Sequence, residues 1–151
     1  MNVIRRNIDQ QKIMNNTRNY ELTIIIPVFN EEDNMKRVEE KLAAFVGHAP
    51  MKTCVLLVND GSKDGTWTAI QRESALNGAV RGLRFSRNFG KEAAIFAGLG
   101  ECKGDCAVVI DCDLQHPPEK ILEMYALWQE GYEIVEGVKN SRGKESGAHK
   151  F

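Results

Sequence analysis

The sequence has no long apolar segment, no excess of charge of one sign and no closely spaced cysteine pair of the Cys-x-x-Cys type. Its longest apolar runs have the length of a β-strand and fall well short of the roughly 20 residues that a membrane-spanning helix needs. Arg5 and Arg6 lie near the amino terminus, but no apolar stretch follows them, so no secretory signal peptide is predicted. We therefore expect a cytoplasmic protein.

The charge balance argues against a nucleic-acid partner. The chain has 20 basic and 21 acidic residues and a formal net charge of −1, so no overall positive field attracts a phosphate backbone. With 42% hydrophobic and 27% charged residues over 151 positions, the composition is that of one folded domain. We expect residues 1–20 to be a mobile polar leader and residues 21–151 to form the domain.

The cysteines are expected to be free thiols. Without an export signal, the reduced state is the default for Cys54, Cys102, Cys106 and Cys112. His116 lies near three of them, but the Cys-x-x-Cys spacing typical of structural zinc sites is absent. Buried free cysteine is common in protein cores, so we favour that interpretation over zinc.

Apolar β-branched runs alternate with segments of helical periodicity. Strands are predicted over 22–28, 54–58, 80–85 and 106–110, with a further strand at 133–138 that would leave an uncovered sheet edge and favour self-association. Helices are predicted over 31–46, 66–77, 91–101 and 117–130. This alternation is typical of an α/β fold, a mostly parallel sheet with helices on both faces.

Polar side chains follow the first predicted strands, where ligands bind in open parallel sheets. These positions are Asn30 and Glu31, Asn59 and Asp60, residues 86–88, and Asp111 with Asp113. Packing alone does not explain polar clusters at the ends of consecutive strands. The sequence therefore predicts a ligand site at the carboxyl edge of the sheet.

The sharpest motif is the acidic pair in VVIDCDLQHPPE, residues 108–119. Asp111 and Asp113 would repel each other unless a cation or donors lie between them. A divalent metal that bridges to a phosphorylated ligand is a natural partner, since Mg²⁺ takes carboxylates together with phosphate oxygens. Gln115 and His116 could add ligands. The alternative is a solvated acidic turn before a helix.

The ends of the first two strands carry weaker signals. Asp60 enters a Gly-rich turn, where an acid commonly accepts hydrogen bonds from a ribose or a base, although Asp-Gly is also ordinary turn chemistry. Ser62 or Asp64 could cap the helix that follows. Asn30 is predicted to cap the first helix, with Glu31 near its positive end.

A basic segment precedes the third helix. Arg87 and Lys91 flank Gly90 at the predicted helix start, an arrangement that suits an anion such as a diphosphate. An exposed basic turn is the alternative. No P-loop and no GxGxxG motif is present, so phosphates would be held by a metal and by cations rather than by a glycine-rich loop.

Four motifs, in this order and spacing, resemble those of a known family. They are IIIPVFNEEDN, VNDGSKDGT, FSRNFGKEAA and VIDCDLQHPPE, within about residues 22–146. The segment resembles the nucleotide-sugar domain of family-two glycosyltransferases, which has the Rossmann-like GT-A fold. It is most similar to the polyprenyl-phosphate branch, which includes dolichyl-phosphate mannose synthase and bactoprenol glucosyl transferases.

The resemblance implies roles for the nucleotide-binding residues. Pro27, Val28, Asn30 and Glu31 match the first stretch that contacts the nucleotide in the family. Asp60 matches the acid that holds the nucleoside. These assignments follow from the resemblance and not from the spacing of the residues alone.

The resemblance also implies a catalytic and metal-binding set. Asp111 and Asp113 match the DxD pair, in which the second acid binds metal, and Gln115 matches a further metal contact. Arg142 matches the basic residue of a loop that folds over the diphosphate. Lys139 stands where many relatives have arginine, so it keeps the charge but loses bidentate phosphate binding.

The activity that the resemblance implies is transfer of a hexose from a UDP- or GDP-sugar to a polyprenyl or dolichyl phosphate, with inversion and with Mg²⁺ or Mn²⁺. Longer family members continue into acceptor-binding and membrane-associated segments, so we expect a truncated chain whose relatives reach the membrane surface through those segments. One alternative is a nucleotide-sugar-binding fragment without complete catalytic machinery. Another is a phosphatase of the haloacid dehalogenase type, whose aspartyl nucleophile also lies in an Asp-x-Asp pair.

Overall fold

Strands and helices alternate along the part of the chain that the computed structural model describes, residues 3–5, 20–113, 117 and 119–137. The strands are β1 (Val3–Arg5), β2 (Leu22–Val28), β3 (Thr53–Asn59), β4 (Val80–Arg84), β5 (Cys106–Val109) and β6 (Tyr132–Val135). The helices are α1 (Glu32–His48), α2 (Thr66–Leu76), α3 (Lys91–Gly100) and α4 (Glu119–Gln129). The four predicted strands of the main sheet and the four predicted helices are all present, and their bounds differ from the prediction by at most two residues.

Four parallel strands in the order β4-β3-β2-β5 form the main sheet. Val28 at the end of β2 pairs with Asn59 at the end of β3, and Asn59 pairs with Arg84 of β4. On the other side of β2, Ile25 pairs with Val109 at the end of β5. The carboxyl ends of all four strands therefore meet at one edge of the sheet.

Helices cover both faces of this sheet, as the sequence predicts. The apolar stripe of α1, with spacings of three, four and three residues, packs with Ile24, Ile26 and Leu57 in the larger core; its members are Met35, Val38, Leu42 and Phe45. Residues of α2 and α4 join the same cluster. On the opposite face, Ile25 and Val58 pack against α3.

A glycine allows α3 to approach the sheet closely. A Cβ atom built on Gly98 would lie 2.5 Å from Cγ2 of Ile25 and 3.3 Å from Cγ2 of Val58. Any larger residue would push the helix away from β2 and β3. The Ala- and Gly-rich composition of this helix is therefore a packing requirement on the second face.

The segment predicted as an uncovered sheet edge is not part of the main sheet. Tyr132–Val135 is a strand, but it pairs antiparallel with Val3–Arg5 in a separate two-stranded sheet. The sequence gives no sign of β1, which has three residues and lies inside the segment expected to be a polar leader. The expected self-association stays a prediction; what is wrong is the expectation that this strand ends the main sheet, since Tyr132–Val135 pairs with β1 instead.

The described helices include none that is long and apolar enough to cross a membrane. The longest, α1, carries charged residues around its solvent-facing side. This finding agrees with the absence of a long apolar run in the sequence.

Candidate functional site

Four polar loops open at the carboxyl edge of the main sheet. The first loop (29–31) follows β2, the second (60–65) follows β3, the third (85–90) follows β4 and the fourth (110–113) follows β5. Because the strands are parallel, these loops lie along the same edge. The strand-end prediction is thereby confirmed for the position of the clusters.

Hydrogen bonds tie the first loop to the second. The backbone N–H of Asn30 donates to Oγ of Ser62 at 2.9 Å, and Oδ1 of Asn30 accepts from the N–H of Lys63 at 3.0 Å. The N–H of Glu31 donates to Oγ1 of Thr66 at 2.9 Å. The two loops therefore hold each other in a defined arrangement beside the sheet.

The amino terminus of α1 is capped by the second loop and not by Asn30. The side chain of its own N-cap residue, Glu31, accepts no backbone N–H of the first turn. Instead Oδ2 of Asp64 accepts from the N–H of Glu32 at 3.2 Å, beside the bond that the N–H of Glu31 donates to Oγ1 of Thr66. Asn30 adopts a left-handed φ of 53°, which asparagine tolerates, and this turns its side chain toward the second loop.

Asp64 also caps the amino terminus of α2, as the sequence predicts for Ser62 or Asp64. Its Oδ1 accepts from the N–H of Thr66 at 3.0 Å and from the hydroxyl of Thr66 at 2.6 Å. Desolvation raises the pKa of Asp64, but the hydrogen bonds from Thr66 and from the Glu32 N–H together outweigh it and lower the pKa. Glu32 returns the contact, since its Oε2 accepts from the N–H of Gly65 at 2.8 Å.

Asp60 anchors the third loop. Its carboxylate is 3% exposed, with Oδ1 accepting from the N–H of Phe89 at 2.7 Å and Oδ2 accepting from the N–H of Gly90 at 2.9 Å. Gly90 has φ of 100°, a conformation that glycine adopts easily. Both carboxylate oxygens of Asp60, the predicted nucleoside contact, thus accept backbone hydrogen bonds next to α3.

Asn59 belongs to the strand-end cluster that the sequence predicts, although no individual role is predicted for it. It is fully buried, and its Oδ1 accepts from the N–H of Ser62 at 2.9 Å. Its Nδ2 has no hydrogen-bond partner among the described residues. An asparagine after an otherwise apolar strand marks this position in the sequence, but its burial and its bond to Ser62 become known only from the structure.

The acidic turn after β5 faces the amino terminus of α3. Nζ of Lys91 lies 2.5 Å from Oδ1 of Asp111, and the side chains are 54% and 55% exposed. Asp113 is exposed in the same turn. The guanidinium of Arg87 lies 4.2 Å from the ring centroid of Phe89, so the two basic residues predicted to flank Gly90 have different partners.

A buried thiol lies among the carboxylates of this turn. Burial, and after it the negative charges of Glu31, Asp113 and Asp111 in that order, together raise the pKa of Cys112 to about 12. Glu31 belongs to the first loop and the two aspartates to the fourth loop. The influence of all three on one thiol indicates that negative charge concentrates between these loops.

The carboxylates present suit a hard divalent cation. Mg²⁺ and Mn²⁺ prefer oxygen ligands, and the Asp111 carboxylate already holds a cationic ammonium group. Within the described residues, no group of three or more His, Cys, Asp and Glu side chains is arranged to hold a metal. Gln115, His116, Lys139 and Arg142 lie outside the described residues.

The remaining predicted nucleotide contacts lie at the end of β2. Val28 is buried, and its carbonyl oxygen accepts from the N–H of Asp60 at 2.9 Å. Pro27 is half-buried beside it. The side chain of Glu31 accepts from Nδ2 of Asn34 at 2.6 Å, so it is oriented along the first turn of α1.

The cysteines give a testable consequence of burial. The structure has free thiols at Cys54, Cys102, Cys106 and Cys112, in agreement with the sequence prediction. Burial raises the pKa of Cys54, and it raises the pKa of Cys106, like that of Cys112, to about 12. At pH 8 Cys106 and Cys112 are therefore almost entirely protonated, the raised pKa of Cys54 lowers its thiolate fraction as well, and all three should react slowly.

We expect alkylation of the native chain at pH 8 to label Cys54, Cys106 and Cys112 far more slowly than alkylation in denaturant. Mass spectrometry of the labelled peptides would follow each site separately. In denaturant without reductant, all four cysteines should be labelled. Fast native labelling of Cys112 would contradict its burial, and fewer than four labelled sites after denaturation would reveal a disulfide.

Comparison with known proteins adds a family match. The family model described as glycosyl transferase family 2 matches residues 23–149. An uncharacterized glycosyltransferase of Bacillus subtilis, YkcC, is 40% identical over 130 residues, which cover 86% of this chain and 40% of that protein. The undecaprenyl-phosphate 4-deoxy-4-formamido-L-arabinose transferase of Aeromonas hydrophila is 35% identical over 130 residues, 85% of this chain and 40% of that protein.

A solved structure shares the fold. The mannosyltransferase PcManGT of Pyrobaculum calidifontis, in complex with GDP-Man and Mn²⁺, superposes with a TM-score of 0.54 at 27% identity. The match covers 64% of this chain and 28% of that one. The chain thus spans 40% of the length of the two curated relatives described above.

Proposed function

Because the chain belongs to glycosyl transferase family 2 and has the GT-A fold, we propose that its carboxyl-edge site binds a nucleotide-diphospho-sugar. We further propose that the sugar, a hexose from a UDP- or GDP-sugar, passes to a polyprenyl or dolichyl phosphate. The observation that carries the proposal is the Asp111-x-Asp113 turn at the end of β5, facing the Lys91 ammonium. Carboxylates and a cation side by side match the charges of a metal-bound diphosphate.

The relatives support the two substrate classes. The Aeromonas relative is named for transfer to undecaprenyl phosphate, and the Pyrobaculum structure contains GDP-Man and Mn²⁺. A lipid-phosphate acceptor brings the reaction to a membrane surface, which we propose as the place of action. The phosphatase alternative is not adopted, because the match to glycosyl transferase family 2 extends across the Asp-x-Asp pair.

Each end of the donor has proposed binding residues. Lys91 and Arg87 attract the diphosphate, and Arg142, outside the described residues, would add a third cation. Asp113 and Gln115 would hold Mg²⁺ or Mn²⁺, with Asp111 beside them. Bound there, the metal would neutralise charge on the departing diphosphate.

The nucleoside end lies toward the first and second loops. Pro27, Val28, Asn30 and Glu31 are proposed contacts at the end of β2, supported by their position on the same edge as the acidic turn. The nucleoside contact of Asp60 stays a prediction. Its two bonds to the third loop give it a second role in positioning the residues that precede Lys91.

The proposed reaction is a single displacement with inversion. The acceptor phosphate is already an anionic nucleophile, so the site needs no strong general base to activate it. Binding must instead hold the phosphate about 3–3.5 Å from the anomeric carbon and in line with the leaving diphosphate.

Calorimetry tests donor binding directly. UDP-glucose and GDP-mannose are titrated into the chain with Mn²⁺, with Mg²⁺ and with EDTA. We expect one donor to bind in the presence of metal and to lose at least about tenfold in affinity with EDTA, because the diphosphate charge is then opposed by cations alone. Equal affinity with EDTA, or no binding of either donor, would contradict the proposal.

Transfer is tested with radiolabelled donor and polyprenyl phosphate in vesicles. Formation of labelled lipid that depends on metal supports the complete proposal. Metal-dependent donor binding without labelled lipid would instead favour the alternative that the chain is a donor-binding fragment. A parallel reaction with an uncharged polyprenol controls for the requirement for an anionic acceptor.

A further inference from the structure

The ion pair between Lys91 and Asp111 joins the first residue of α3 to the acidic turn. We propose that Lys91 is a placeholder cation: it holds Asp111 while the site is empty, opposes a divalent metal that arrives alone, and moves to the donor diphosphate when donor and metal bind together. The inference rests on the proposed function and adds an order to it. Metal and donor should bind as a coupled pair.

The backbone at Lys91 is fixed, which limits the motion to its side chain. Asp60 holds the N–H groups of Phe89 and Gly90, the two residues immediately before α3. Gly61 packs directly against the backbone of the third loop. Because the side chains of Lys91 and Asp111 are each more than half exposed, the ammonium can leave the carboxylate without disturbing the core.

The charges around the pair explain why it should respond to a donor. Asp111 and Asp113 are both exposed in the fourth loop, and the Lys91 ammonium forms an ion pair with Asp111. The same ammonium repels a divalent cation at the turn. A diphosphate offers Lys91 a new anionic partner and removes that repulsion, and linkage then requires donor and metal to raise each other's affinity by the same factor.

A different result is expected if the ion pair between Lys91 and Asp111 has only a structural role. Exposed ion pairs often contribute little to stability, and a pair of that kind would leave metal binding unchanged when the lysine is removed. The affinity for metal, measured without any donor, therefore distinguishes the placeholder role of Lys91 from a purely structural role. This readout does not depend on catalytic turnover.

The experiment titrates Mn²⁺ into the chain and measures free Mn²⁺ by electron paramagnetic resonance. The variants are Lys91→Met and, as a matched control, Lys120→Met, which removes an exposed lysine from its ion pair with Glu123. We expect Lys91→Met to bind Mn²⁺ about three- to tenfold more tightly than the wild type, since the repulsion is gone. Lys120→Met should match the wild type.

The second half of the experiment repeats the titration with saturating UDP or GDP. The nucleotide should raise Mn²⁺ affinity more in the wild type than in Lys91→Met, and Lys91→Arg should restore part of the difference. Unchanged or weaker Mn²⁺ binding by Lys91→Met without nucleotide would overturn the inference. So would an equal effect of nucleotide on both proteins.

The outcomes separate the inference from the proposed function. If the wild type binds a donor with metal but Lys91→Met has wild-type Mn²⁺ affinity, the placeholder role is wrong and the proposed function stands. If Lys91→Met binds Mn²⁺ more tightly but no nucleotide binds either protein, the placeholder role toward the metal stands and the proposed donor is wrong.

Discussion

Substitution of Gly61 by alanine should destabilise the protein by about 3 kcal/mol, the sum of left-handed strain and overpacking. Gly61 has φ of 68°, where a β-carbon is strained. A Cβ atom there would lie 2.2 Å from the carbonyl carbon of Arg87 and 2.6 Å from the backbone N of Asn88. Backbone atoms cannot turn aside as a side chain can, so the third loop must move away from the second loop.

Urea denaturation of Gly61→Ala and of Gly47→Ala measures this effect against a matched control. Gly47 lies in α1 with no atom within 4 Å of a built Cβ. The same substitution there should stabilise the protein by about 0.4–1 kcal/mol, because it restricts the unfolded chain. Equal stability of the two variants would show that the second and third loops are not in contact as described.

Substitution of Asp113 by alanine should lower the affinity for the donor in Mn²⁺ by about 100-fold, because loss of a metal ligand removes most of the metal's contribution. Asp113 is exposed, so its removal should leave the free energy of unfolding within about 0.5 kcal/mol of the wild type. A loss of binding without a loss of stability would place its role at the ligand.

The control for Asp113 is Asp33→Ala, which removes an exposed aspartate from the first turn of α1. It changes the net charge equally but lies outside the fourth loop. In EDTA, the wild type and both variants should bind the donor with similar weak affinity. Wild-type affinity of Asp113→Ala in Mn²⁺ would remove this residue from the metal site.

The buried strands and the first helix follow directly from the sequence. Residues 22–28 form a continuous apolar β-branched run because β2 is central in the sheet and buried on both faces. The apolar spacing of α1 identifies the four residues that the structure buries. The predicted ends of the main-sheet strands therefore agree with the structure to within two residues, and the polar clusters follow those ends as predicted.

The capping of α1 could not be predicted from local signals. Asn30 is a good N-cap residue by propensity, but the acceptors for the first turn come from Asp64 and Thr66, more than 30 residues later. The second loop can cap α1, and Glu32 of α1 can bond back to the second loop, only after β2 and β3 have paired. The pairing of β1 with β6 depends on tertiary structure in the same way.

The role of Asp60 shows the same limit at the site itself. The sequence marks it as an acid in a Gly-rich turn, and its partners are N–H groups 29 and 30 residues further on. Almost every residue type has a backbone N–H, so no sequence motif identifies which N–H groups will bind Asp60. The contact of Lys91 with Asp111 likewise depends on α3 and β5 both reaching the same edge.

We propose that a nucleotide diphosphate and a divalent metal meet at the carboxyl edge of the parallel sheet. Nuclear magnetic resonance of the ¹⁵N-labelled chain with Mn²⁺ and UDP or GDP locates that site. We expect substoichiometric Mn²⁺ with nucleotide to broaden the amide signals of residues 111–113 and 87–91, with Mg²⁺ as the diamagnetic control. Broadening that is independent of nucleotide, or centred on the far end of the sheet near the start of β2, would contradict the account.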